Sequence, residues 1–186
     1  MKLPDPVLPL FGAALLWAPV AAHAQMSDQM PGMDMSGAKP ACAAMRKDVP
    51  APWGGWTSPE ALKGGSGLST AGKLTVGHVY SAALPASSGM SYVVPLQKPA
   101  AEGTFGGVFT LTVDKAGTYS IALSEGAWID VAPSAGAVLT STAHGHGPAC
   151  TTIHKVVDFA LQPGAYVVQI SASTRSPILI GIQPRS

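Results

Sequence analysis

Residues 106–123, GGVFTLTVDKAGTYSIAL, constrain the fold more than any other part of the chain. Phe109, Leu111 and Val113 recur at every second position, Asp114-Lys115-Ala116-Gly117 supplies turn formers, and Tyr119, Ile121 and Leu123 resume the alternation. A period of two places alternate side chains on opposite faces of a strand, so this is strand, turn, strand with one apolar face on each. The same grammar continues to the C-terminus. GKLTVGHVYSAAL (72–84) reads as one or two strands around Gly77, followed by Ser91–Pro95, Ala127–Val131 and Ala137–Thr140. Residues 153–161 alternate with Val157, Phe159 and Leu161 inward. Gln162-Pro163-Gly164 then turns into Ala165–Ile170, and Ile178–Ile182 closes the series. About eight short antiparallel strands with no competing helical period predict an all-β fold, a jelly-roll-like β-sandwich over residues 68–186.

Composition agrees: 21 glycines and 17 prolines against only 11% charged residues describe many turns and few solvated helices. A net charge of +1 gives no electrostatic basis for a nucleic-acid partner or an anionic membrane.

The N-terminal part follows other rules. Lys2 precedes an apolar stretch from Val7 to Val20, and Ala22-His23-Ala24 fits the small-x-small pattern of a signal-peptidase site. Pro9 and Pro19 interrupt that stretch, which falls short of the roughly 20 residues of a membrane span. Residues 1–24 are therefore expected to be a signal peptide, and the mature chain a periplasmic or secreted protein without a membrane span. Residues 25–50 lack apolar periodicity and are expected to form a flexible, disordered tail. Residues 51–67 form a loop with Trp53 and Trp56, in which Pro59–Leu62 is expected to make a short helical turn. In an oxidising compartment the two cysteines, Cys42 and Cys150, are expected to form a disulfide.

Two constellations carry chemistry. Met26, Met30, Met33, Met35 and Met45 crowd the tail. Thioethers are soft ligands that select Cu(I), and several spaced two to four residues apart on a flexible chain can wrap one ion; equally, the tail reads as a low-complexity leader with incidental methionines or one that adheres to a hydrophobic groove. The second lies in STAHGHGPACTTIH (141–154), which holds three of the five histidines. His144 and His146 are at i and i+2 and can reach one metal, with His154 close in sequence and His78 a further contributor from another strand. Gly145, Gly147 and Pro148 equally make a tight turn with no metal. If Cys150 is oxidised it is lost as a thiolate ligand.

Other chemistries fare worse. No Met follows Cys150, so a blue-copper set is incomplete, and no Glu follows Glu125, so a cupin set is too. A non-haem iron triad needs a carboxylate beside two histidines. Asp130 is a candidate or a turn cap, whereas Asp158, between inward Val157 and Phe159, is expected to face solvent. No Gly-x-Ser-x-Gly elbow or phosphate-binding loop is present.

The succession AGTYSIAL, AWIDV and VDFALQPGAYVVQI resembles the hairpins of the bacterial prepeptidase C-terminal domain, an accessory module, not a catalyst. Ala127–Val131, Ser141–Cys150 and Val157–Gln169 also resemble a family of small uncharacterised exported proteobacterial proteins found near copper-resistance genes. Some of its members carry a homogentisate dioxygenase label. The resemblance implies an exported β-domain with a copper connection. Three expectations follow: a copper-binding accessory protein that passes copper to another periplasmic copper protein; a structural or partner-binding sandwich; and a metal-dependent, dioxygenase-like enzyme built on the His-Gly-His loop.

Overall fold

A computed structural model describes residues 42, 49 and 51–185. The expected signal peptide and most of the methionine-rich tail, with Met26, Met30, Met33, Met35 and Met45, lie outside the described residues. Within them the fold is an all-β sandwich of ten strands: β1 (Glu60–Lys63), β2 (Gly72–Leu74), β3 (Val79–Ala83), β4 (Phe105–Val113), β5 (Gly117–Leu123), β6 (Trp128–Pro133), β7 (Ala143–Gly145), β8 (Lys155–Leu161), β9 (Gly164–Ser173) and β10 (Ile178–Pro184). One sheet has six strands in the order β1-β3-β10-β5-β8-β7, and the other has four in the order β2-β4-β9-β6. No helix among the described residues is long and apolar enough to cross a membrane.

The turns do more than reverse the chain. The 114–116 turn links β4 of the four-stranded sheet to β5 of the six-stranded one, and the 162–163 turn links β8 back to β9. Both are arches between sheets, not hairpins within one. Among the described strands, only β7 and β8 are consecutive and paired in the same sheet, and the segment joining them carries His146 and His154. The pairing is also not wholly antiparallel. β1 runs parallel to β3 and β2 parallel to β4, each a short strand added to a sheet edge.

The alternation read from sequence builds the core. Phe109, Leu111 and Val113 of β4 meet Ile121 and Leu123 of β5, Phe159 and Leu161 of β8, Val168 and Ile170 of β9, and Ile180 and Ile182 of β10. Fully burying one such side chain contributes about 1.5–3 kcal/mol, so this interface dominates stability.

Each sheet's outer face is covered as well. On the six-stranded sheet, Trp53 and Trp56 pack edge to face, with ring centroids 6.2 Å apart, over Val79, Ala122 and Ile153. Gly181 makes the close approach possible: a Cβ there would lie 3.0 Å from Trp53 Cζ3. On the four-stranded sheet the cover is the segment between β3 and β4. Gln169 of β9, fully buried, accepts from the Val93 and Val94 amides and donates to the Val94 carbonyl (3.0 Å). Ser171 Oγ adds a bond to the Lys98 carbonyl.

Three local expectations are corrected. Ser91–Pro95 is not a strand, because its backbone groups bond a glutamine side chain instead of a neighbouring strand. Ala137–Thr140 is not one either; there a single bond joins the Leu139 amide to the Val131 carbonyl. The helical turn falls at Gly54–Thr57, while Pro59–Leu62, placed in a helical turn by sequence, runs into β1 (Glu60–Lys63).

Candidate functional site: the histidine loop and the sandwich edge

Residues 146–154 are fixed at several points. Cys150 joins Cys42, with Cα atoms 5.4 Å apart, and takes a left-handed conformation at φ 60°. Ile153 is buried in the tryptophan cluster, and Trp56 Nε1 donates to Thr152 Oγ1 at 2.8 Å. Gly147 passes so close to Ile153 that any side chain would overlap it. Thr151 Oγ1 donates to the Pro148 carbonyl at 2.7 Å, and the His154 amide donates to the Leu123 carbonyl at 2.8 Å. The expected disulfide thus closes onto a loop that is also packed and hydrogen-bonded.

The histidines do not gather as one set. The rings of His146 and His154 are near-parallel, 5.9 Å between centroids and 18° between planes. His146 Nδ1 lies 3.0 Å from the His154 carbonyl oxygen. A carbonyl only accepts, so Nδ1 carries a proton, and in the neutral ring Nε2 then keeps its lone pair, the arrangement a metal-binding imidazole requires. His144 lies on β7 opposite Val157, on the side of the sheet that faces the other sheet. His78, expected as a further contributor, belongs to the far side of the six-stranded sheet. Its Nδ1 is 2.7 Å from Glu60 Oε1 and its ring stacks on Tyr80. It does not join the loop histidines. Among the described residues no three His, Cys, Asp or Glu side chains cluster closely enough to hold a metal.

Neither candidate carboxylate completes a triad. Asp158 is buried, not solvent-facing: Ser120 Oγ donates to Oδ1 at 2.6 Å and Arg185 pairs with Oδ2. The alternation correctly turned it away from the core, but Ser120 and Arg185 engage the carboxylate at that outer position. Asp130 is buried beneath the covering segment of the four-stranded sheet. Its Oδ1 accepts from Trp128 Nε1 at 2.9 Å, while Oδ2 is buried without a hydrogen-bond partner among the described residues. Burial pushes the Asp130 carboxyl above the ordinary carboxylate range, against the Trp128 bond, the nearby Gln97 backbone and the charge of Lys155.

Sequence reading overlooked Lys155 and Trp128. Lys155 Nζ donates to the Ala127 carbonyl at 3.0 Å and lies 5.0 Å from the centre of the Trp128 ring, a cation–π contact. Burial lowers the affinity of this ammonium for its proton, Lys98 adds to the effect and Asp130 opposes it. The available signal was period two: Lys155 shares the inward phase of Val157, Phe159 and Leu161, an unusual place for a charge. No protein-family model matches the chain, and no curated protein matches it.

Proposed function

We propose that the protein is an exported copper-binding accessory protein. Cu(I) would be captured by the thioethers of Met26, Met30, Met33 and Met35, with the loop histidines as a harder second site. The carrying observation is the spacing of these thioethers within ten residues of sequence that ends shortly before Cys42. Soft sulfur donors favour the cuprous ion over harder divalent ions. The Cys42–Cys150 bond supports the reading, because it covalently joins the chain just after the methionines to the loop with His146 and His154. Of these, His146 holds its Nδ1 on a backbone carbonyl, which in the neutral ring leaves Nε2 to bind a metal. A role in buffering copper, or in transfer to another periplasmic copper protein, follows from ligands that bind softly and exchange readily.

A competition titration of the mature protein against a Cu(I) chelator tests this. Wild type is expected to take Cu(I) at micromolar concentrations or below. The variant with Met26, Met30, Met33 and Met35 all replaced by Leu should lose at least tenfold in affinity, and H146A with H154A should change only a second, weaker phase. A wild-type protein that leaves the chelator's copper untouched overturns the proposal.

A further inference from the structure

The sandwich is open along one side, where β6 ends the four-stranded sheet and β7 and β8 end the six-stranded one. A cavity of about 130 Å³ opens there, walled by Ile129, Leu139, Val157 and Phe159, with Trp128 and Lys155 at its mouth. We infer that this cavity binds a small organic monocarboxylate with a compact apolar body of about five to seven carbons, its carboxylate held by Lys155.

Size sets the first limit. An apolar cavity of about 150 Å³ accepts a benzene ring, so the space here takes a ring or a short branched chain and excludes sugars, peptides and lipid chains. Ile129, Leu139, Val157 and Phe159 offer no hydrogen bond from their side chains, so the part of a ligand set against them is apolar, while Gln97, Ser141 and His144 add polar groups elsewhere in the lining.

Charge sets the second. Lys155 Nζ uses one donor on the Ala127 carbonyl and rests over Trp128, and an ammonium has three donors. Among the described residues no carboxylate forms an ion pair with it. The nearest acid in electrostatic terms, Asp130, shares its face of β6 with Trp128 and accepts from Trp128 Nε1, and it forms no ion pair with Lys155. Lys98 adds positive potential at the same place. A half-buried cation without an ion-pair partner among the described residues, beside a cavity with apolar walls, complements a ligand with one anionic end and one apolar end. An inorganic anion would satisfy the ammonium but leave the apolar walls unfilled.

The test is a titration of the full mature protein with 4-fluorobenzoate, followed by fluorine NMR, beside the neutral isostere 4-fluorobenzyl alcohol. Saturable binding of the acid is expected, with the alcohol at least about tenfold weaker, since a charged hydrogen bond contributes about 1.5–3 kcal/mol. K155M should reduce the acid to the affinity of the alcohol. S141F, which adds bulk at an exposed position on the rim, should abolish binding of both. The inference is overturned if 4-fluorobenzoate fails to bind at millimolar concentration, or if acid and alcohol bind wild type equally. It is equally overturned if folded K155M retains wild-type affinity for the acid. If K155M does not fold, the acid–alcohol comparison on wild type decides.

Discussion

Replacing Asp130 by Asn should stabilise the protein increasingly as pH rises, the reverse of what loss of a paired carboxylate does. Asp130 is 1% exposed, and one of its oxygens is buried without a partner. Burial raises its affinity for the proton above the ordinary value of 3.8. The unfolded chain ionises at that ordinary value, while the folded chain resists ionisation to higher pH. Between the two values the folded state binds more protons, so stability falls as pH rises through that window and stays reduced above it. A buried acceptor left unsatisfied costs about 1–3 kcal/mol, more when charged. Asn keeps an oxygen for Trp128 Nε1 and removes the charge. Its amide introduces donors whose effect is the same at every pH, so the slope of the difference is the test and the offset is not. Urea unfolding followed by circular dichroism from pH 3.5 to 8 should show D130N gaining on wild type by about 1–3 kcal/mol across the range. A difference that stays flat, or that moves in favour of wild type as pH rises, refutes the account of this carboxyl as desolvated and unpaired.

Three further outcomes follow from the two covered faces and the pinned loop. G181A forces a methyl group against Trp53 and Trp56; it should cost about 1–3 kcal/mol, the usual range for overpacking, and shift tryptophan emission to longer wavelength, which fluorescence during denaturation reads directly. Q169L strands the Val93 and Val94 amides and the Val94 carbonyl; limited proteolysis should cut residues 91–99 at least tenfold faster than in wild type, with the remaining sandwich intact. Replacing Cys42 and Cys150 by Ser opens a loop with a sequence separation of 108; chain-entropy reasoning puts the loss at up to about 4–5 kcal/mol, and an unchanged urea midpoint under oxidising conditions would show that the bond constrains nothing.

What the sequence disclosed was whatever depends on local period. Phe109, Leu111 and Val113, and later Val157, Phe159 and Leu161, occupy the core where alternation put them. The partner of Cys42 was fixed by there being only one other cysteine. What escaped depends on contacts between distant residues. Ser91–Pro95 has the apolar content of a strand, yet its groups are claimed by Gln169, about 75 positions away. Glu60–Lys63 has no alternation because it is an edge strand with little buried surface, held by backbone bonds to β3. The histidine spacing placed His144 and His146 on one face, as an extended chain would. The structure instead sets His146 against His154, because the chain leaves β7 at Gly145 and doubles back to β8. Asp130 was legible as unusual only through its neighbours Ile129 and Val131; nothing local indicated the segment that buries it.

The same reasoning makes the cost of Lys155 measurable. Its stem occupies an inward-phase position on β8, and its ammonium is partly desolvated without a carboxylate partner. Burial lowers its proton affinity in the folded state, so at neutral pH the folded chain carries a charge that the unfolded chain solvates better. Methionine fills nearly the same volume over Trp128, and its sulfur is a favourable neighbour for the ring. K155M should therefore match or exceed wild-type stability at pH 7, by about 0–1 kcal/mol, because the lost cation–π contact offsets part of the gain. That advantage should shrink as pH rises through the depressed value of this lysine and vanish above the ordinary value of 10.5, where Lys155 is neutral in both states. A variant that is more stable yet no longer holds a carboxylate would show that the ammonium serves a ligand and not the fold. A variant clearly less stable at pH 7 would make Lys155 a structural cation held by Trp128 and the Ala127 carbonyl, and its position at the mouth of the cavity would then need no ligand to explain it.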